Sequence, residues 1–373
     1  MSILTHEYAK INEMKILRNT TLAAFVLLMP FLFVQITHEV SPIPIDKVKR
    51  TSDRGIYVTY WVAVTPHRFE RLIGQAKACG INTLVIDAKE ALSRPLLEMA
   101  KNHTLSANAK LTAEASLLQM TNKLHDEGFI VTARLVTFKD DHLVIARPDL
   151  GVKLNGGLYR DRKGGKWSDP YSEEVRLYNE LIAERAALSG FDEVQFDYIR
   201  FPAEGGAHSA TYSFEEEGVS KVDAICLFLE SVKKRLEPYK TSIAVDIFGV
   251  TAWQSKEDIK NLGQDVKRMA KYIDVLSPML YPSHFHNGYD GFDNPGSYPY
   301  YFMNSGVRKT LEILSGEAVS VIPWLQGFDM KSPNFGPNYI REQVKACKDE
   351  KAEKFLIWNA RNVYDVSFSA LRK

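Results

Sequence analysis

The sequence predicts a (β/α)8 barrel, and three observations support this fold class. Strand-like and helix-like segments alternate without interruption from Arg54 onward, and alternating βα units imply a parallel sheet. Eight such units spread over about 320 residues are enough for a closed barrel with enlarged loops. The long connections follow strand ends, whereas the turns from a helix to the next strand are short. This asymmetry is typical of barrels that work at the carboxyl ends of their strands.

The strands are predicted from runs of β-branched and aromatic residues. In chain order they are 55–62, 83–89, 130–138, 193–201, 242–249, 273–281, 319–328 and 355–360. The intervening helices are predicted from amphipathic patterns bounded by Gly or Pro. They are 66–78, 111–127, 173–188, 220–236, 256–271, 305–314 and 338–348, with 365–371 available for an eighth. An open doubly wound sheet would need a glycine-rich turn after the first strand, where this chain has Thr65-Pro66-His67.

The N-terminus has a different composition. Residues 19–37 are uncharged and mostly apolar, and basic residues precede them. This order is typical of a signal peptide or a membrane anchor. It implies an exported protein that is periplasmic, extracellular or attached to the membrane through this segment alone. The predicted organisation is a signal or anchor segment over 1–40, a linker over 41–53 and the barrel over 54–373.

Composition limits the classes of function. The chain has 47 Lys and Arg against 46 Asp and Glu, and a protein without a basic excess is a poor candidate for binding nucleic acid. Cys79, Cys226 and Cys347 have no metal-type spacing and are odd in number, so they cannot form a complete set of internal disulfides. His284 and His286 lie in a predicted loop rather than at a strand end, which disfavours a metal site. The sequence therefore indicates no cofactor and no metal, and a metal-dependent hydrolase is a distant alternative.

Three predicted strands each contain an aspartate near the carboxyl end, namely Asp87, Asp197 and Asp246. Side chains alternate along a strand, so each aspartate lies opposite the apolar face that helices would cover. In a closed barrel the three carboxylates then converge on the interior. A buried charge is costly unless it is paired or used, and we therefore interpret all three as candidate catalytic residues.

Each aspartate also has a structural interpretation. Asp197 could form an ion pair with Arg200 or Arg134 as part of the barrel scaffold. Asp246 could be satisfied by polar side chains of neighbouring strands. Asp87 has Lys89 close by in sequence, so a structural or substrate-binding network is an alternative to proton transfer.

The same alternation predicts other side chains at the barrel mouth. Aromatic rings stack on the apolar faces of sugars, while charged and amide groups bind hydroxyls. The candidates for substrate binding that the alternation places there are Trp61, Lys89, Arg134, Tyr281, Trp324, Gln326 and Trp358, and Tyr198 and Arg200 are added because they follow Asp197 in the fourth strand segment. The three tryptophans could equally be core residues. A pair of carboxylates among aromatic rings is what glycosidic cleavage needs, with one as nucleophile or base and the other as proton donor.

Several strand motifs resemble the bacterial putative glycosyl hydrolase domain family, whose function is undetermined. The motifs are GIYVT at 55–59, VIDAK at 85–89, VQFDYIRFP at 194–202, AVDIFG at 244–249, LSPMLYPS at 276–283 and PWLQG at 323–327. The resemblance implies a barrel distantly similar to alpha-amylase-type glycosidases. Their nucleophile is an Asp at the fourth strand, which matches Asp197. Their acid/base is a Glu at the fifth strand, where this chain has Asp246, and their final His–Asp pair is not evident.

The sequence thus predicts a glycoside hydrolase acting on a polysaccharide or oligosaccharide. Asp197 would be the nucleophile or general base, Asp246 the general acid, and Asp87 a binding or modulating residue. The alternative is a non-catalytic carbohydrate-binding protein of the cell envelope on the same barrel. A separation of about 5–10 Å between two carboxyl groups at the mouth would favour the enzyme.

Overall fold

The computed structural model describes residues 48–372, with a closed barrel of parallel strands at the centre. In chain order the strands are β1 (Arg54–Val58), β2 (Thr83–Asp87), β3 (Ile130–Val136), β4 (Lys153–Leu154), β5 (Gly157–Leu158), β6 (Glu193–Asp197), β7 (Ser242–Phe248), β8 (Val275–Met279), β9 (Ser320–Val321), β10 (Trp324–Gln326) and β11 (Phe355–Trp358). The barrel order is β10-β11-β1-β2-β3-β6-β7-β8-β9, and a pairing between β10 and β8 closes it. Strands β9 and β10 share one barrel position, so the predicted eight-stranded barrel is confirmed.

The helices pack around the barrel and complete the βα units. They are α1 (Tyr60–Ala63), α2 (Pro66–Ala78), α3 (Lys89–Lys101), α4 (Ala115–Asp126), α5 (Asp141–Ala146), α6 (Glu173–Leu188), α7 (Lys221–Leu236), α8 (Lys256–Leu262), α9 (Val266–Met269), α10 (Pro299–Ile313), α11 (Pro337–Asp349) and α12 (Asp365–Leu371). Their buried faces pack against the outer side chains of the strands to form the main hydrophobic core. Within residues 48–372, no helix is both long and apolar enough to cross a membrane.

Strand boundaries differ from the prediction where a helix cap or a proline intervenes. Strand β1 ends at Val58 rather than at residue 62, because the Thr59 side chain accepts a hydrogen bond from the Val62 backbone N–H and begins α1. The seventh barrel strand is split because Pro323 has no N–H to donate to a ladder. Helix α3 begins directly at Lys89, where the sequence predicted the end of a strand followed by a loop.

The alternation of side chains along the strands separates two apolar regions. A second, smaller cluster fills the barrel interior and consists of Tyr57, Val85, Ala244, Val275, Tyr281, Ile322, Trp324 and Leu356. The strand register pairs Asp87 with Arg134, and Arg134 with Gln195. Inward polar side chains from β2, β3 and β6 therefore lie in neighbouring positions above this cluster.

The amino-terminal end of the barrel is closed by residues 48–53. Ser52 is fully buried, and its backbone N–H donates a 3.1 Å hydrogen bond to the side-chain carboxyl group of Glu193, which also accepts one of 3.2 Å from Thr132. This contact fixes the chain where it enters β1. The predicted signal or anchor segment over 1–40, and the part of the predicted linker before residue 48, lie outside the described residues.

Candidate active site

A cavity of about 820 Å³ opens at the carboxyl ends of the barrel strands. This volume lies in the range of small-molecule and sugar sites. Side chains from six barrel strands reach it, namely Arg134, Asp197, Asp246, Met279, Trp324 and Trp358. The loops that follow β3, β6, β8 and β10 supply the upper walls. The cavity therefore lies at the end of the barrel where the loop asymmetry predicted the site.

Arg134 bridges two of the three predicted aspartates. Its Nε lies 3.1 Å from Oδ2 of Asp197, and Nη2 donates to the same oxygen. On its other side Nη1 donates to Oδ1 of Asp87, whose second oxygen accepts a hydrogen bond from the Tyr57 hydroxyl. Asp197 is therefore held in one orientation by a charged group that is itself fixed by Asp87.

Two aromatic rings hold the guanidinium from a third side. Its central carbon lies 4.9 Å from the ring centroid of Trp358 and 5.5 Å from that of Tyr57. These two rings stack on each other with centroids 3.9 Å apart and an interplanar angle of 27°. Cation–π contacts of this kind are favourable in a desolvated site. Trp358 thus lines the cavity and also supports Arg134.

Tyr198 has an unusual backbone that connects it to Asp197. Its φ of 52° lies in the left-handed region, which non-glycine residues adopt rarely and often at functional sites. The backbone N–H donates a 2.6 Å hydrogen bond to Oδ1 of Asp197. The change of direction also brings the Tyr198 side chain to the cavity wall, whereas strict alternation would place it on the outer face with Phe196.

Asp246 is buried beside Asp197 and differs from it in its partners. The register of β6 and β7 pairs Phe196 with Val245, so the two aspartates follow at neighbouring inward positions of adjacent strands. Oδ1 of Asp246 accepts a 2.7 Å hydrogen bond from Nε1 of Trp324. Burial, followed by the negative charge of Asp197, raises the pKa of Asp246 well above its usual range. Asp246 therefore holds a proton more tightly than an exposed aspartic acid does.

Tyr281 completes the buried wall next to the carboxyl groups. Its side chain lines the cavity, and burial together with the charges of Asp246 and Asp197 raises its pKa well above the usual range. The hydroxyl therefore stays protonated and is available as a hydrogen-bond donor.

Four residues predicted from the sequence do not line the cavity. Asp87 lies behind Arg134, as described above. Trp61 is on α1, because β1 ends before it, and is 68% exposed on the surface. Lys89 begins α3, and its Nζ points away from the mouth to Asp140 at 2.7 Å and to the backbone oxygen of Thr137 at 2.8 Å. Gln326 is fully buried, and its amide hydrogen-bonds to the backbone N–H of Ser283 and to the Ser332 hydroxyl.

Trp61 nevertheless lies near the rim. The residue before α1, Thr59, hydrogen-bonds through its N–H and its hydroxyl to the Asn362 side chain. The segment just before Asn362, residues 359–361, lines the cavity. The exposed indole is thus held on a surface next to the mouth.

The sequence reasoning missed the contribution of the long connection after β3. Tyr159, Asp161, Lys163 and Trp167 all line the cavity from this segment. Asp161 is paired with Lys139, another wall residue, at 2.6 Å. The only signal in the sequence was the length of the insertion. The path of the loop decides which of its side chains face the mouth, and the sequence does not show that path.

His284 lies on the rim near two lysines. Desolvation and the charges of Lys163 and Lys331 lower the pKa of His284 to about 4, so its imidazole is neutral at neutral pH. In the described part of the chain, no group of three or more His, Cys, Asp or Glu side chains is arranged to hold a metal ion.

The fold and the site define the class of protein, which is a (β/α)8 barrel with adjacent acidic residues at its mouth. The profile of the family described as "Putative glycosyl hydrolase domain" matches residues 55–364. The chain belongs to this family, and the resemblance inferred from the strand motifs is confirmed. A comparison with curated protein sequences found no match.

Three solved structures with a similar architecture are described as glycosidases. The PgaB (BpsB) glycoside hydrolase domain from Bordetella bronchiseptica is 13% identical, with a TM-score of 0.58 over 86% of this chain and 98% of that chain. The beta-galactosidase from Marinomonas ef1 is 12% identical, with a TM-score of 0.56 over 86% and 58%. The alpha-galactosidase from Thermus thermophilus is 12% identical, with a TM-score of 0.53 over 88% and 63%. At these identities the likeness shows the fold alone.

Proposed function

We propose that the protein is a glycoside hydrolase that cleaves a polysaccharide or oligosaccharide with Asp197 and Asp246. The observation that supports this most is the pair of neighbouring carboxyl groups in different environments. Asp197 is ion-paired with Arg134, whereas burial and the charge of Asp197 raise the pKa of Asp246 and favour its protonated form. Glycosidic cleavage needs one ionised and one protonated carboxyl group.

The position of the two aspartates favours a retaining mechanism. Adjacent strands lie about 4.8 Å apart, and both side chains point inward from neighbouring positions. Retaining enzymes hold their carboxyl groups about 5–5.5 Å apart, whereas inverting enzymes need about 6.5–9.5 Å to admit a water molecule. We infer the retaining arrangement from the neighbouring positions of the two aspartates on adjacent strands.

In the proposed reaction Asp197 attacks the anomeric carbon and forms a covalent ester with the sugar. The glycosidic bond breaks at the same time, and the leaving oxygen takes the proton of Asp246. Water then attacks the anomeric carbon, gives its proton to the Asp246 carboxylate, and releases Asp197. Arg134 positions Asp197, and Asp87 with Tyr57 positions Arg134. Tyr198, Tyr281, Trp324 and Trp358 contribute the aromatic surface that contacts the sugar.

The test compares the full-length protein with Asp197→Asn and Asp246→Asn on a panel of cell-wall, capsular and storage polysaccharides. Wild-type protein should release new reducing ends, and Asp197→Asn should lower the rate by about 10³-fold or more, as expected for the loss of a nucleophile. Asp246→Asn should retain activity on aryl glycosides, whose leaving group needs no proton, and azide should be incorporated into the product. Asp349→Asn, a surface substitution on α11, is the matched control and should behave as wild type.

Two results would contradict the assignment. Turnover by Asp197→Asn at the wild-type rate would exclude Asp197 as the nucleophile. Binding of a polysaccharide by both wild type and Asp197→Asn, without release of reducing ends by either, would instead support the non-catalytic carbohydrate-binding alternative.

We also propose that the protein acts outside the cytoplasm, in the cell envelope or attached to the membrane. The basis is the apolar run over 19–37 that follows basic residues. Fractionation of cells that express the full chain, with N-terminal sequencing of the product, tests this. Recovery of an intact Met1 in the cytoplasmic fraction would contradict it.

A further inference from the structure

Arg200 is a buried cation on the cavity wall that has no anionic partner in the protein. Its side chain lines the cavity, and the residue is 4% exposed. Within residues 48–372 it forms no ion pair, and neither Asp197 nor Glu204, the carboxylates whose charges act on it, lies within ion-pair distance. Its Nη1 donates a 3.0 Å hydrogen bond to the backbone oxygen of Phe201.

Three aromatic rings surround the guanidinium. Its central carbon lies 3.9 Å from the ring centroid of Phe248, 4.8 Å from that of Trp167 and 5.4 Å from that of Tyr198. These contacts hold the group in one plane and compensate part of its desolvation. They do not supply an acceptor for the remaining N–H groups of the guanidinium. The three rings therefore orient the Arg200 guanidinium without neutralising its charge.

Arg134 is the comparison for Arg200, because it is a buried arginine of the same cavity that has carboxylate partners within the protein. It is equally buried and lies against two rings, but two carboxylates neutralise it. Burying a charge without a partner is unfavourable, and burial lowers the pKa of Arg200 to about 10. A charge left unpaired at the wall of a ligand cavity is explained if the ligand brings the counterion.

We propose that Arg200 binds an anionic substituent of the substrate, a carboxylate or sulfate group on the sugar. The proposal rests on the function proposed above and adds the class of substrate, an acidic polysaccharide such as one built from uronic acids. A planar guanidinium matches the two oxygens of such a group in a bidentate pair. The rim lysines Lys163 and Lys331 would add attraction for a polyanionic chain.

Binding is measured by calorimetry with the full-length Asp197→Asn variant, so that the ligands stay intact and the result does not depend on catalysis. The ligands are fragments of polygalacturonate, alginate and hyaluronan, each beside the same fragment with its carboxyl groups reduced to alcohols. Sulfated dextran fragments separate sulfate from carboxylate recognition, and chitosan fragments represent amino sugars. At least one acidic fragment should bind about tenfold or more tightly than its reduced form, as expected for a charge-assisted pair.

The variants assign this preference to a residue. Arg200→Gln in the same background should remove the preference for the acidic form and leave binding of the reduced form within about threefold. Arg308→Gln removes a charge from the exposed surface of α10, outside the residues that line the cavity, and should keep the preference. Arg200→Lys keeps the positive charge but loses the planar pair of N–H donors, so it should show only part of the preference for the acidic form.

Thermal unfolding separates a functional from a structural arginine. Because removal of an unpaired buried charge should not destabilise the fold, Arg200→Gln should melt at or above the wild-type temperature. Three results would overturn the proposal: tighter binding of reduced or amino-sugar fragments, an unchanged preference in Arg200→Gln, or binding of none of the acidic fragments. Failure of cleavage with retained, Arg200-dependent binding would overturn the proposed hydrolysis and leave this inference standing.

Discussion

The charge balance of the site depends on Arg134, and the substitution Arg134→Met tests this quantitatively. The change keeps a side chain of similar length but removes the cation between Asp87 and Asp197. Asp197 then retains the hydrogen bond from the Tyr198 backbone N–H, but its charge is buried without a counterion. Removing one partner of a buried ion pair costs about 3–5 kcal/mol.

The exposure of the two carboxylates sets the magnitude within that range. The Asp197 side chain is 6% exposed, whereas that of Asp87 is 31% exposed and is screened by water. We therefore expect the free energy of unfolding to fall by about 3 kcal/mol, mostly through Asp197. Urea unfolding at neutral pH, followed by tryptophan fluorescence, measures the change.

The control is Arg147→Met. Arg147 also bridges two carboxylates with a side chain that is 7% exposed, but its partners Asp149 and Glu174 are 54% and 30% exposed, so its loss should be clearly smaller. Adding Asp197→Asn to Arg134→Met should recover about 2 kcal/mol, because it removes the stranded charge. Equal losses in the two arginine variants, or no recovery in the double variant, would refute the reasoning.

Two further predictions concern the base and the rim of the barrel. Burial raises the pKa of Glu193 from 4.5 to about 7, so unfolding releases a proton between these values and the free energy of unfolding should fall by about 3 kcal/mol as the pH rises through them. Glu193→Gln should abolish this fall in urea titrations at a series of pH values, and the same pH dependence in both proteins would contradict the prediction. Trp61→Ala should weaken the binding of long polysaccharides by about 1 kcal/mol and leave the binding of short oligosaccharides unchanged, as measured by calorimetry. Equal weakening for both would show that Trp61 is not part of an outer subsite.

The fold could be predicted because each of its determinants is local. Strand and helix segments are marked by composition and by Gly or Pro at their ends, and the alternation along β2, β6 and β7 was enough to direct Asp87, Asp197 and Asp246 inward. The sequence analysis also named Arg134 as one possible partner of Asp197, and the register observed in the structure places Asp246 at the neighbouring position.

The errors arose where a local cap or a distant loop decides the direction of a side chain. Thr59 caps a helix and turns Trp61 to the surface, and Lys89 begins a helix that carries its charge to Asp140. The left-handed backbone of Tyr198 reverses the alternation at one residue. Trp167, whose ring lies beside Arg200, belongs to a long connection whose path depends on tertiary contacts. The hydrophobic periodicity of the sequence does not predict such contacts.

The arrangement of the two aspartates also accounts for a change of role during the proposed reaction. The pKa of Asp246 is raised by burial and then by the charge of Asp197, and the second cause disappears when Asp197 becomes an uncharged ester. Asp246 has then lost its proton to the leaving group and is an anion near Arg134, beside Asp87, and the charge of Arg134 lowers the pKa of Asp246. The same residue that is a neutral acid in the free site is thus held as a carboxylate in the intermediate, where it must take a proton from water. The network keeps its net charge in both states, because one negative charge is lost at Asp197 as one appears at Asp246.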